Sequence, residues 1–295
     1  MANLKAIRIR ISSVKSTRQI TSAMKMVSAA KLRKAQDKIV RLRPYVLKLQ
    51  EILSSLNKSL AESDVVNIYG RLSEPKKILI VMITSNRGLC GAFNSNVIKE
   101  ARKIVSEKYI EQFNSSNVTF LAIGKKGYDY MRKQNVKLLP DKNSLFNNLT
   151  FDNVSLLAEE VMNSFLAQEY DKVEIIYNQF KNAAVQNLTE EPFLPVEPLK
   201  PNGNQKNQAV DYIYEPTQEG IVQELIPKSL KIQFYKAVLD SFVAEHGARM
   251  TAMHKATDNA TEMIRELTLQ YNKARQSAIT NQILEVVSGA EALKS

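Results

Sequence analysis

The chain has 295 residues, 44% hydrophobic but only 7% aromatic, the length of about two domains, and carries a net charge of +11. A single cysteine, Cys90, excludes an internal disulfide, no apolar run reaches the ~20 residues of a membrane helix, and the Met1 end shows no secretory stretch or cleavage pattern. His246 and His254 fall about 80° apart around a helix, poor geometry for zinc, so no metal, cofactor or catalytic cluster is expected.

Residues 1–50 hold thirteen Lys and Arg against one acid, Asp37, which leaves the remaining 245 residues at −1. Apolar residues at alternating 3 and 4 spacing, Leu4, Ile7, Ile11, Val14 and then Leu32, Ala35, Ile39, Leu42, Val46, Leu49, Leu53, Leu56 and Leu60, predict a coiled-coil helix over 3–58, ~80 Å long. The seam positions between the two runs are polar: Arg18, Thr21, Lys25 and Ser28. There the apolar stripe moves one residue earlier, to Ile20, Met24 and Val27. Pro44 is expected to bend the helix or loosen one turn.

The middle of the chain has different punctuation. Strands are expected at 77–85, 118–124 and 173–180 and helices at 94–109, 126–134 and 154–168, an alternation that argues a mostly parallel sheet covered on both faces. The first strand runs into Ser85-Asn86-Arg87-Gly88-Leu89-Cys90-Gly91, which has the look of a phosphate cradle but the spacing of neither glycine-rich nucleotide motif, so it reads as a structural turn with Cys90 as a structural thiol. Pro192, Pro195, Pro198 and Pro201, with 202–208, mark a polar loop, and 210–214 a short strand.

The C-terminal segment repeats the coiled-coil pattern: Leu239, Val243, His246, Met250, Met253, Thr257, Ala260, Ile264, Leu267, Tyr271, Ala274 and Ala278. Without proline from Lys228 to Ser288, and with Gly289 as its stop, this helix extends ~90 Å. A stripe that long needs an equally long partner, and the N-terminal helix is the one available. The fold class is therefore α/β: a long antiparallel two-helix coiled coil of the terminal segments with an inserted Rossmann-like α/β domain. The divisions fall at 1–58, 70–209 and 210–295, the last pairing with the first. Met24, Met26, Met250, Met253 and Met263 on these helices read as adaptable packing. The basic face suits a protein partner with acidic loops, or a polyanion; against nucleic acid, Tyr45 alone offers a stacking surface and no compact reading module is present.

Several segments, Ile20–Gln36 (ITSAMKMVSAAKLRKAQ), Arg43–Tyr45 (RPY), Arg87–Gly91 (RGLCG), Asp211–Pro216 (DYIYEP), Ala248–Ala260 (ARMTAMHKATDNA) and Tyr271–Thr280 (YNKARQSAIT), closely resemble the γ subunits of F-type ATP synthases. The resemblance covers the chain end to end. It implies a non-catalytic rotor inside a ring of α and β subunits, with an ε-type subunit and the membrane c ring as further partners, no nucleic acid, and a place on the cytoplasmic face of a bacterial inner membrane. Rotation of the shaft would bias each β subunit, where ATP is made or split, between open and closed states. By the same resemblance Met24, with Lys25, Lys31, Arg33 and Lys34 around it, lies beside an acidic β loop; Arg275, Gln276 and Thr280 touch a β catch loop; Tyr212 and Glu215 face the c ring. Gln282 stands where the family often has Glu, leaving Glu285 as the nearby acid, and Cys90 alone cannot form the two-cysteine switch of chloroplast forms.

Overall fold

The computed structural model describes residues 4–60, 69–70, 74–196 and 218–292, with the side chains of Arg43, Leu47 and those after Leu49 in the first helix, and those before Glu224 in the last, outside that description. Leu53, Leu56 and Leu60 as seam residues, the loop at 197–208, the strand expected at 210–214, and Tyr212 and Glu215 therefore lie outside the described residues. Two long helices, α1 (Leu4–Leu60) and α6 (Gln218–Ala292), come before and after, in sequence, a five-stranded sheet with its own helices. The chain divides into two compact units, Met1–Ala29 with Arg249–Ser295, and Ala30–Ala248.

In the first unit the helices run antiparallel, since Thr21 meets Thr257 while Lys25, further along α1, meets the earlier His254 on α6. Every third or fourth residue of α1 from Leu4 to Val14 is partly withdrawn from solvent, and the 3,4 phase continues unbroken through Arg18, Thr21, Lys25 and Ser28. The expected shift of the stripe does not occur. Thr21 and Ser28 are buried at 9% and 2% exposure, whereas Ile20 and Val27 stand out at 60% and 57%. A small polar residue lets two helices approach closely and can satisfy its hydroxyl locally, so it fits a seam that the larger apolar neighbours do not enter. Met253 is buried in this seam, but Met26 and Met263 are exposed and do not serve as packing within the chain. α6 also runs past Gly289 to Ala292, because Ala290, Glu291 and Ala292 are strong helix formers that sustain the last turn.

The second unit is built on a sheet in the order β3-β2-β1-β4-β5. Strands β1 (Ile78–Ile83), β2 (Val118–Ile123), β3 (Lys137–Leu138) and β4 (Lys172–Phe180) are parallel, and β5 (Gln186–Leu194) runs antiparallel to β4. β1 and β2 are buried along their whole length, which is why they read as continuous apolar runs. On one face Ile78, Ile80 and Met82 pack with Val97, Ala101 and Ile104 of α2 (Phe93–Lys108) and with Met131 of α4 (Lys125–Arg132), while the short α3 (Ile110–Asn114) carries the chain from α2 to β2. Because the order reverses direction after β3, right-handed crossovers place α5 (Phe151–Leu166) on the other face. The Thr150 hydroxyl accepts from the Asn153 N–H and starts α5 three residues before the first apolar residue that marked it in the sequence.

The α6 segment 226–248 joins that face. Its Phe234 ring meets Phe193 edge-on at 5.4 Å, Tyr235 meets Phe151 at 5.6 Å, and Lys231 pairs with Glu159. β5 corrects the loop expected from Pro192: the proline sits inside the strand, opposite Glu174, next to a register irregularity. A proline fits there because β5 is an edge strand whose outer N–H groups need no ladder partner. α1 and α6 both continue through their prolines, Pro44 and Pro227.

Tyr109 and Tyr177 are held neutral well above the usual tyrosine range, first by burial and then by the carboxylates they bond, Glu174 and Glu191. In the unfolded chain these phenols ionise near pH 10, so above that pH the unfolded state loses protons that the folded state keeps, and stability falls as pH rises. Ultraviolet titration should show Tyr109 and Tyr177 silent until the domain unfolds; smooth ionisation of every tyrosine around pH 10 with the fold intact would contradict the assignment.

Candidate partner-binding surfaces

Apart from Tyr212 and Glu215, which lie outside the described residues, the residues singled out for partner contact are carried by the two long helices. Lys31, Arg33 and Lys34 of α1 are exposed, and so are Arg275, Gln276, Thr280 and Glu285 of α6. Met24 and Lys25 are half-buried because they flank or occupy the seam. Lys25 Nζ lies 3.4 Å from His254 Nδ1, which is also 3.3 Å from Asp258 Oδ2. Lys25 is thus engaged with the partner helix as well as presented outward. One turn away the Thr257 hydroxyl donates to Thr21 Oγ1 at 2.9 Å, and the Thr21 hydroxyl donates to the Arg18 carbonyl at 3.0 Å.

Sequence reasoning missed two apolar surfaces. Ile9, Ile20, Met26 and Val27 of α1 project outward among the cations, and beyond Ala278 every described α6 residue is exposed, including Ile283, Leu284, Val286 and Val287. The signal was present in the first case, since the stripe Ile20, Met24, Val27 is visible in the sequence but faces away from the seam. In the second it was the arithmetic of lengths: α6 continues past the residues that Leu4 and Ile7 can cover. Those two residues and Gln270, Lys273, Ala274, Ser277, Ala278 and Asn281 line a groove of about 530 Å³ where α1 begins.

In the second unit the glycine-containing turn after β1 is closed on itself. The Ser85 N–H donates to Asn94 Oδ1 at 2.9 Å, the Ser85 hydroxyl to the Arg87 carbonyl at 2.7 Å, and the Asn94 amide to Cys90 Sγ at 3.3 Å. The first N–H groups of α4, where a phosphate would otherwise dock, are taken by Asn86 Oδ1, the Ser85 carbonyl and the Thr84 hydroxyl. Cys90 is buried with Phe93 against Ala244 of α6, and Phe180 and Ala248 complete the cluster. Gly247 permits this approach, because a side chain there would meet Ala183 and Phe180 at 3.3–3.4 Å. In an open α/β sheet the strand ends at the switch of direction, here those of β1 and β4, form the ligand crevice; in this chain α6 lies in it.

These surfaces, long paired helices with outward cations and apolar residues, are suited to large protein partners rather than to a small substrate. A family model described as ATP synthase matches residues 3–293. The ATP synthase gamma chain of Flavobacterium johnsoniae is 58% identical over 293 residues, 99% of each chain. This chain belongs to the ATP synthase gamma-chain family. The gamma chain of Cytophaga hutchinsonii is 51% identical over 296 residues, all of both chains. Among solved structures, a chain of the Tetrahymena thermophila mitochondrial ATP synthase central stalk and c ring has a TM-score of 0.58 at 25% identity, covering 80% of this chain and 99% of that one. A chain of the Euglena gracilis mitochondrial ATP synthase rotor, at 23% identity and a TM-score of 0.62 over 94% of this chain and 98% of that one, agrees in fold. A gamma chain is the central-stalk rotor subunit of F-type ATP synthase, and the paired helices with an inserted sheet are its architecture. No helix among the described residues is long and apolar enough to cross a membrane.

The turn makes a sharp prediction. Gly124 has φ of 111°, and a Cβ there would stand 2.1 Å from the Thr84 carbonyl oxygen, which cannot move without breaking the β1 exit. Gly124→Ala should cost roughly 2–4 kcal/mol, read as a lower urea midpoint, with Gly91→Ala in open space costing less.

Proposed function

We propose that this gamma chain transmits rotation between a membrane c ring, driven by protons or sodium ions, and the β subunits on which ATP is made or hydrolysed. The chain itself is not the catalyst. The observation that carries the reading is the antiparallel seam of the terminal helices, joined by Thr21–Thr257 and Lys25–His254, from which α6 extends as a fully exposed helix. Such a helix pair gives an asymmetric surface, and an asymmetric axle can present different contacts to chemically equal β subunits, which is what shifts each between open and closed states.

Met24, Lys25, Lys31, Arg33 and Lys34 are assigned to an acidic β loop; Arg275, Gln276, Thr280 and Glu285 to the upper α/β ring; Tyr212 and Glu215 to the c ring. An ε-type subunit is the further partner, and the assembly sits peripherally on the cytoplasmic face of a bacterial inner membrane. The exposed, one-signed charge of Lys31, Arg33 and Lys34 supports the first assignment, since a solvated helix face ordinarily mixes signs.

Reconstitution with α and β subunits, followed by ATPase and single-molecule rotation assays, tests the proposal. Met24→Lys is expected to lower ion pumping per ATP hydrolysed while leaving the helix content unchanged, because a new cation at a half-buried position alters the partner contact more than the fold. Normal pumping per ATP in that variant would remove Met24 from the coupling surface.

Replacing Lys31, Arg33 and Lys34 by Gln should keep the helix, given similar propensities, and weaken association with the α/β ring most at low salt. Tight binding of the unmodified chain to DNA or RNA, without association with α and β subunits, would favour a nucleic-acid partner instead.

A further inference from the structure

The seam of the first unit contains a mismatch that its hydrogen bonds account for. Between Val14 and Leu32 the helix offers two stripes one residue apart: an apolar one of Ile20, Met24 and Val27, and a polar one of Arg18, Thr21, Lys25 and Ser28. Burial of apolar surface alone selects the first, yet the chain buries Thr21 and Ser28 and leaves Ile20 and Val27 largely in solvent. What the polar stripe has, and the apolar one lacks, is a partner across the interface. Thr21 Oγ1 and Thr257 Oγ1 lie 2.9 Å apart, with the Arg18 carbonyl 3.0 Å from the first and the Met253 carbonyl 2.8 Å from the second.

Two protons serve this group. Either Thr21 donates to the Arg18 carbonyl and Thr257 to Thr21, or Thr257 donates to the Met253 carbonyl and Thr21 to Thr257; in both arrangements the bond between helices is made. A coiled coil can otherwise slip by seven residues with little change in apolar contact. Here such a slip would set Thr21 against Met250 or Ile264, and the bond between helices would be lost. We propose that Thr21 and Thr257 are positioning residues that fix the axial register and rotational phase of the two shaft helices, and so keep Ile20, Met26 and Val27 directed outward. The part that concerns coupling rests on the rotor reading; the part that concerns register does not.

The test is disulfide trapping in the full-length chain. Cysteines at Val14 and Ile264, each one heptad from the threonine pair, report the native register; cysteines at Val14 and Tyr271 report a slip of one heptad. The unmodified threonines should give the first cross-link alone. In Thr21→Val with Thr257→Val, which keeps shape and removes both hydroxyls, the slipped product should rise by about two- to five-fold, less than a full hydrogen bond would give, because in the slipped register each threonine hydroxyl still donates to its own helix's carbonyl and loses only its partner across the seam. Thr21→Ser with Thr257→Ser, which keeps the hydroxyls, should restore the single register. In the assembled synthase, ion pumping per ATP should fall in the valine variant and recover in the serine variant. A single native cross-link in the valine variant, or equal slippage in the serine variant, overturns the proposal. Normal register control combined with failure of the chain to assemble with α and β subunits would count against the rotor reading and leave the register result standing.

Discussion

A helical stripe dozens of residues long cannot be buried against a sheet whose strands run at most nine residues. In this chain the constraint is met by the chain's own other end. The first and last segments pair antiparallel, and whatever lies between them in sequence has to begin and end on that pair. In sequence the strands come after α1 and before α6, and within the second unit the faces of the sheet are covered by short helices and by the 226–248 segment of α6.

The 3,4 periodicity made the helix pair legible because burial in a coiled coil depends on residue spacing alone, and the positions from Met253 to Ala278 are withdrawn from solvent in the order the spacing dictates. Hydrophobicity misled between Arg18 and Ser28, where it disagrees with phase. There phase prevailed, and Thr21 finds a hydroxyl opposite. β5 was illegible for another reason: its two glutamates and Pro192 carry an edge-strand pattern that resembles a loop when read alone, and its strand character comes from pairing with β4. The residues proposed for partner contact were reached only through resemblance, because an outward lysine has the same local spacing whether or not a partner waits for it.

The sheet also shows how a ligand-binding architecture is put to another use. The strand order supplies the switch of direction at which such sheets hold nucleotides, and the turn after β1 has the small residues of a cradle. Its donors and acceptors are nonetheless occupied, Ser85 with Asn94 and Asn86 with the Lys125 N–H, and the crevice receives the small-residue face Ala244, Gly247 and Ala248 of α6. The thiol of Cys90 belongs to that packing, which explains its burial without invoking reactivity.

The same arrangement sets an order of events during synthesis. β1, Cys90 and Phe93 leave the ribosome more than 140 residues before Ala244 and Ala248, and Phe193 emerges about 40 residues before Phe234. Until the last third of the chain has been made, the sheet has an uncovered apolar notch at its switch point, open to other chains and to chaperones. A truncated product that ends before α6 would keep that notch permanently, so the nascent domain cannot become a finished, self-sufficient fold ahead of the helix that closes it.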